Sequence, residues 1–246
     1  MRHRTWIIAA AAIAVAGSVP SIAANTPLLF AAVTSNDRPE ADKIRDADRK
    51  PAELMAFAGV RAGSKIAEIA PGGGYFTRLL SLAVGPRGHV WTANSRASAA
   101  VDAWAATHPN TTAQIVTPGG VLAPEPVDIV WTTLNYHDFK NNVADGTDAA
   151  AKINTAAFAV LKPGGTYLVV DHATAAGAGA TQTNTLHRIE AATVISEVQA
   201  AGFRLAGRSN LLTHATDDHT LKVQESGIRG KTDQFVLKFV KPRGRR

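Results

Sequence analysis

Short, nearly continuous apolar runs alternate along this chain with longer stretches that are apolar on one side only. Residues 65–70 (KIAEIA), 89–93 (HVWTA), 112–116 (TAQIV) and 127–134 (VDIVWTTL) are of the first kind. Each carries β-branched or aromatic residues and is followed within two residues by Pro or Asn, which predicts strands. Residues 75–84, 96–107, 147–161 and 190–201 are of the second kind and predict helices. Ser95 stands as the cap of the second helix and Pro109-Asn110 ends it, while Lys162-Pro163-Gly164-Gly165 closes the third. Upstream, 40–49 has helical character, and Pro51 opens a helix over 52–58, as proline does at a first helical position. Strands at 166–170, 203–208 and 234–240 complete the series.

Alternating strands and helices, with strands apolar throughout, predict a parallel sheet covered on both faces. No helix clearly separates the last two strands, so the final one is expected to run antiparallel. The expectation is one α/β domain on a Rossmann-like, doubly wound, seven-stranded sheet. Two stretches break the rhythm: 172–188, rich in Ala, Gly and Thr, and 211–231, charged and with Gly. Loops of that length are functional or disordered. His187, Arg188, His214, Asp217, Asp218 and His219 fall in them and read as solvated, unless a lid folding over the pocket brings some of them in. Trp91, Trp104 and Trp131 fall on strand or helix patterns and read as core.

Composition narrows the class. The 246 residues suffice for one such domain with a full-sized core. With 46% hydrophobic and 19% charged residues, a mainly disordered chain is excluded. The absence of cysteine removes disulfides, thiolate metal sites and a cysteine nucleophile. The net charge of +6 is accounted for by Arg2 and Arg4 at one end and Lys241, Arg243, Arg245 and Arg246 at the other. The body is therefore balanced, without the basic surface of a nucleic-acid groove.

The first residues form a unit of their own. Met1-Arg2-His3-Arg4 is a positive start, 6–17 an apolar run, and Ser21-Ile22-Ala23 a small-residue exit. Together they read as a secretory signal peptide over 1–23. The run is shorter than the ~20 residues needed to span a bilayer, and no later segment is apolar enough to cross one. The expected organisation is 1–23 signal peptide, 24–39 a flexible lead-in segment carrying Pro27 and Pro39, 40–242 the domain, and 243–246 a basic tail. An exported protein is expected, periplasmic if the source is Gram-negative.

The most informative chemistry lies in Glu68-Ile69-Ala70-Pro71-Gly72-Gly73-Gly74-Tyr75. An acidic residue sits within the strand end, and glycines follow at the turn into a helix. In an open α/β sheet, ligands lie in the crevice beyond the strands' carboxyl ends. Glycine there lets a ligand approach the backbone and allows positive φ. The Gly-x-Gly-x-x-Gly pattern fails at Thr77, and no Gly-Lys-Ser/Thr follows, so neither a dinucleotide fingerprint nor a P-loop is present.

The segment 66–74 resembles the first motif of class I S-adenosylmethionine-dependent methyltransferases. Residues 127–134 resemble that family's fourth strand, Leu161-Lys162-Pro163-Gly164-Gly165-Thr166 its entry to the fifth, and Ala201-Gly202-Phe203 its approach to the sixth. The likeness runs from about Pro51 to Pro242. More narrowly, the leader, Asp48-Arg49-Lys50-Pro51, Asn135-Tyr136-His137-Asp138 and Arg229-Gly230-Lys231-Thr232-Asp233 look like a group of exported bacterial predicted methyltransferases. The resemblance implies S-adenosylmethionine as cofactor, held by Glu68, Ala70, Pro71, Gly72, Gly73, Gly74 and Tyr75, with Asn94 near the ribose and Asn135 beside the methionine end. A small-molecule acceptor is expected, with no nucleic-acid partner. Three positions depart from the family: Ala70 replaces its first motif glycine, Asn94 the acid at the end of strand two, and Thr117-Pro118-Gly119-Gly120 the acid near the adenine. A non-catalytic ligand-binding protein on the same fold is the alternative. No Gly-x-Ser-x-Gly elbow supports a hydrolase.

In this fold strands four and five are neighbours, so Asn135-Tyr136-His137-Asp138 and Asp171-His172 leave the sheet side by side. Methyl transfer requires alignment of nucleophile, methyl and sulfur, and a base takes the proton of a hydroxyl or amine acceptor. His137 is the first candidate base and His172 the second, with Asp138 or Asp171 to orient a ring. A metal set of Asp171 with Asp138 or His137 has suitable ligand types, but its spacing is not diagnostic and no metal ligand is assigned.

The leader yields a direct test. Mass spectrometry of the native N-terminus is expected to show a mature chain beginning at Ala24; a native chain beginning at Met1 would exclude signal cleavage.

Overall fold

The computed structural model describes residues 26–144 and 146–244. The expected signal peptide lies outside them. In chain order the elements are α1 (Thr26–Thr34), α2 (Glu40–Lys43), α3 (Asp46–Arg49), α4 (Pro51–Ala58), β1 (Lys65–Ile69), α5 (Tyr75–Val84), β2 (His89–Asn94), α6 (Ala99–Thr107) and β3 (Thr111–Ile115). Next come β4 (Val127–Thr133), α7 (Tyr136–Asn141), β5 (Val143–Ala144), β6 (Thr147–Asp148), α8 (Ala149–Val160), β7 (Leu161–His172), α9 (Ala191–Ala200), β8 (Arg204–Ser209) and β9 (Gln234–Val240). β5 and β6 form a small hairpin where the sequence pattern predicts a loop and a helix start.

The other seven strands make one sheet in the order β3-β2-β1-β4-β7-β9-β8. Pairing is parallel from β3 through β7, and β9 runs antiparallel between β7 and β8. Alternate strand residues serve opposite faces, as the period of two dictates. Ile66, Leu168 and Val170 join α1, α4 and α5 in one apolar cluster. Ala67, Ile69, Tyr167 and Val169 join α8 and α9 in the other. The strand order reverses at β1, so β1 and β4 open the crevice between them at their carboxyl ends.

Two expectations from the sequence are corrected. The described part of the lead-in segment is a packed helix, with Leu29 and Ala32 buried against α4 and α5. Ion pairs dock the residues between that helix and α4. The buried Arg38 donates two hydrogen bonds to Asp46 at 2.8 and 2.7 Å, and Arg78 reaches Asp42 at 2.6 Å. The helix expected from Arg96 begins instead at Ala99, with Ser98 at its N-cap position. Ser98 makes no cap bond there; its hydroxyl donates to the Gly72 carbonyl at 2.8 Å, tying the β2 exit to the glycine turn.

The long loops are pinned to each other. Arg188, expected to be solvated, is fully buried and donates to Asp217 at 2.8 and 2.9 Å and to the carbonyls of Ala173 and Leu221, both at 3.0 Å. Asp217 also accepts the backbone N–H of Asp233 and of His219. Removing one partner of such a pair costs about 3–5 kcal/mol, because the other charge is left buried and alone. The loops around the strand ends are therefore as determined as the sheet.

Candidate active site

β1 delivers the chain into a sharp turn. Ala70, Gly72 and Gly74 all adopt positive φ, of 53°, 57° and 78°. An alanine in that region costs roughly 1–2 kcal/mol, which is why glycine suits the position. Ala70 is held there from both sides: its N–H donates to the Ala93 carbonyl at 2.9 Å, and its carbonyl accepts from the Asn135 amide at 3.0 Å. The turn, the β2 exit and α7 border a cleft of about 510 Å³. That is a normal size for a small-molecule site.

The structure divides the residues expected to hold a cofactor. Ala70, Gly72, Asn94 and Asn135 line the cleft, together with Thr117, Pro118 and Gly119 of the stretch the resemblance places near the adenine, and with Ser95, Ser98 and Leu122. A Cβ on Gly72 would meet nothing within 4 Å. Pro71 lines a smaller hollow beside the cleft, with Asn94 and Ser98, and the exposed Gly73 offers its carbonyl to Arg78 at 2.9 Å. Glu68, Gly74 and Tyr75 do not reach the cleft. A Cβ on Gly74 would meet Arg78 Nη1 at 3.0 Å and Val101 Cγ2 at 3.2 Å, inside the protein. The Tyr75 hydroxyl donates to Asp46 at 2.6 Å, and its ring lies under the Arg49 guanidinium at 4.5 Å. Glu68 is buried beneath the turn and accepts from the Thr77 hydroxyl at 2.6 Å.

Beyond the cleft, the buried Asp171 at the end of β7 organises the polar cluster. Its carboxylate accepts the His137 backbone N–H at 2.7 Å, the His137 Nδ1–H at 2.7 Å and the His172 backbone N–H at 2.8 Å. With Nδ1 donating, the neutral His137 ring carries its lone pair on Nε2. Burial opposes charge on that ring, but Asp171 outweighs it by charge and hydrogen bond, Asp138 adds to it, and the His137 pKa stands above its ordinary value. Asp138 is half exposed and lines the cleft.

His172 faces elsewhere. It borders a second cavity, of about 660 Å³, with Arg45, Arg49 and Arg229, and its Nδ1 pairs with the Thr232 hydroxyl at 2.7 Å. Burial drives its pKa down to about 4, against the pull of Asp171. The second candidate base is thus neutral and lies apart from the cleft.

His187, read from the sequence as solvated, joins the cluster instead. Its Nδ1 lies 3.3 Å from His137 Nε2 and 3.2 Å from Asp138 Oδ1. Nothing local marks it. Its position is set by its neighbour Arg188, whose partner Asp217 comes from another loop.

No protein-family model matches the chain, and no curated protein matches it in sequence. Solved structures do match, over most of its length. A SAM-dependent methyltransferase from Aquifex aeolicus aligns over 82% of this chain and 95% of its own, at 14% identity and a TM-score of 0.58. The [4+2]-cyclase SpnF aligns over 89% and 93%, at 16% identity and a TM-score of 0.60. Fibrillarin from Aeropyrum pernix, with natively bound S-adenosyl-L-methionine, aligns over 80% and 76%, at 16% identity and a TM-score of 0.51. The chain has the class I methyltransferase fold. At such identities the likeness is one of architecture: the seven-stranded mixed sheet with its antiparallel strand is that fold's sheet. The class I methyltransferase fold places its crevice where the glycine turn lies here, and the chemistry must be argued from the side chains.

The buried acid under the turn gives a pH test. Burial pushes the Glu68 carboxyl up to about 7, against the Thr77 hydrogen bond and the Arg78 charge, which both lower it. An acid with a higher pKa folded than unfolded binds more protons in the folded state. Its contribution to stability is complete below the ordinary value of 4.5 and is lost as pH rises through about 7. Glu68→Gln is expected to gain stability over wild type between about pH 5 and about pH 8, by on the order of 3 kcal/mol at most. Urea unfolding at both pH values measures it, and an equal offset at both would show that Glu68 does not titrate in this window.

Proposed function

We propose that the protein transfers a methyl group from S-adenosylmethionine to a small-molecule acceptor, and that it does so after export. The observation that carries this is the cleft at the β1, β2 and β4 ends. It meets open space at Gly72 on one side and the Asp138 carboxylate on the other. The cofactor, when bound, supplies an electrophilic methyl on a sulfonium sulfur. The residues present fit it: Gly72 leaves room at the turn, Asn94 at the β2 end can hydrogen-bond ribose hydroxyls, and Asn135 adjoins the turn. His137 is the base in this reading: its ring is buried behind Asp138 rather than on the cleft wall, and Asp171 holds it and stabilises the charge that forms. The leader supports export, and no helix among the described residues is long and apolar enough to cross a membrane.

One observation favours the non-catalytic alternative. Asn94 turns its amide oxygen to the N–H of Ser95 at 3.1 Å, so the β2 exit offers no carboxylate to a ribose. Turnover, rather than binding, separates the two readings.

Calorimetric titration of the mature protein with S-adenosylmethionine and S-adenosylhomocysteine tests the first step, and failure of both to bind would overturn the reading. Gly72→Val is expected to weaken both ligands by about tenfold or more, because its side chain enters the cleft. Gly74→Val, whose side chain turns inward, is expected instead to cost about 1–3 kcal/mol of stability. His137→Ala should keep cofactor affinity and lose about 10²–10⁴ in turnover once labelled-methyl screening supplies an acceptor. Asp171 keeps two backbone N–H partners in that variant, so its fold should survive.

A further inference from the structure

Three atoms that carry lone pairs converge at the acceptor side of the cleft. His137 Nε2 and His187 Nδ1 are 3.3 Å apart, His187 Nδ1 and Asp138 Oδ1 3.2 Å, and His137 Nε2 and Asp138 Oδ1 3.4 Å. In its neutral form His137 gives its Nδ1 proton to Asp171, and its Nε2 then faces the Asp138 oxygen acceptor to acceptor. A proton on His187 can point at only one of the other two. A positive ion at the centre satisfies all three.

We propose that His137, Asp138 and His187 bind a divalent transition-metal ion of the zinc class at the edge of the cleft, where Asp138 stands. Bonds of about 2.0–2.1 Å to nitrogen and oxygen in a tetrahedron put ligand atoms about 3.3–3.4 Å apart. The observed edges match this. Two imidazoles and one carboxylate form a donor set of intermediate softness, suited to zinc, cobalt or iron rather than magnesium or calcium. Three protein ligands leave a fourth position for water or an incoming oxygen, the pattern of catalytic rather than structural zinc.

The surroundings are those of a built site. Asp171 on the far nitrogen of His137 makes the carboxylate–histidine–metal arrangement, which fixes the tautomer and raises the ring's basicity. His187 sits at a φ of 56°, a conformation that a bulky residue holds only when its surroundings impose it. The buried Arg188–Asp217 pair next to it does so. Of the three, Asp138 belongs to the cleft wall, and His137 is buried behind it. The inference rests on the same cluster as the methyl-transfer reading and refines it. With an ion bound, His137 would be a ligand rather than the base, and the ion would supply Lewis acidity beside Asp138.

The test uses the untagged full chain, stripped with chelator and dialysed against Zn²⁺ or Co²⁺. Metal per chain is counted, and the visible spectrum of the Co²⁺ form is recorded. One equivalent is expected, with the intense visible bands of four-coordinate cobalt. His187→Gly, which tolerates the positive φ, and Asp138→Asn are each expected to weaken binding by at least about tenfold, and Asp171→Asn by about 10–100-fold. Far-UV circular dichroism should not change, and His214→Ala should bind as wild type. Wild type taking up no ion would overturn the proposal, as would His187→Gly and Asp138→Asn each keeping one equivalent at wild-type affinity. S-adenosylhomocysteine is titrated into the same samples. Its binding without metal uptake sinks the metal site alone, and metal uptake without its binding sinks the methyl-transfer reading alone.

Discussion

The carboxylate of Asp171 carries no solvent exposure and takes three N–H donors, two of them backbone. An ionised carboxylate so placed would be expensive without them, and with them it becomes a fixed point. It joins the end of β7 to the first turn of α7, and so to the exit of the neighbouring β4. The polar cluster at the strand ends depends on that junction. The ring of His137 is turned by it, Asp138 stands one residue later in the same helix, and His187 packs edge-on against that ring. The glycine turn depends on it more loosely, through Asn135, whose amide crosses from the start of α7 to the Ala70 carbonyl.

Backbone strain gathers around the same junction. Ala70 after β1, Leu134 after β4 and His187 in the long loop all take positive φ without being glycine. Two of these are the first residues beyond neighbouring strands, where the chain must leave the sheet at once for the crevice to stay open. Each costs roughly 1–2 kcal/mol, and each is over-determined by hydrogen bonds or by a neighbouring ion pair. Leu134, for example, gives its N–H to the Val170 carbonyl at 2.8 Å, continuing the ladder while turning out of it.

Periodicity makes the sheet legible. The pattern sets the bounds of α5 and β9 as observed and those of β1 to β4 and β8 to within one residue, whereas β7 begins at Leu161, five residues before the expected 166, because the Lys162-Pro163-Gly164-Gly165 turn is part of the strand. It fails where local signals conflict. α1 comes after an apolar leader without a polar break, and the α6 boundary is ambiguous because serines stand at both 95 and 98. The placement of Glu68 away from the cleft is, by contrast, legible in the strand itself. It stands two residues after Ile66, whose side chain lies in the cluster under α5, so the period of two already turns it inward. His187 is different in kind. Its place depends on an ion pair spanning 29 residues between loops, and no window of sequence contains that information.

The two histidines at the strand ends show how much of a site is environment. Their rings are 5.9 Å apart and both neighbour Asp171, yet their pKa values move in opposite directions. His172 is enclosed, paired with a neutral hydroxyl and near Arg188, so it stays uncharged. His137 receives the carboxylate directly, with a second one close by, so it attracts positive charge. Groups whose environments push their pKa values apart take different roles. Here the separation favours positive charge on His137, beside Asp138, over His172, whose cavity already holds Arg45, Arg49 and Arg229.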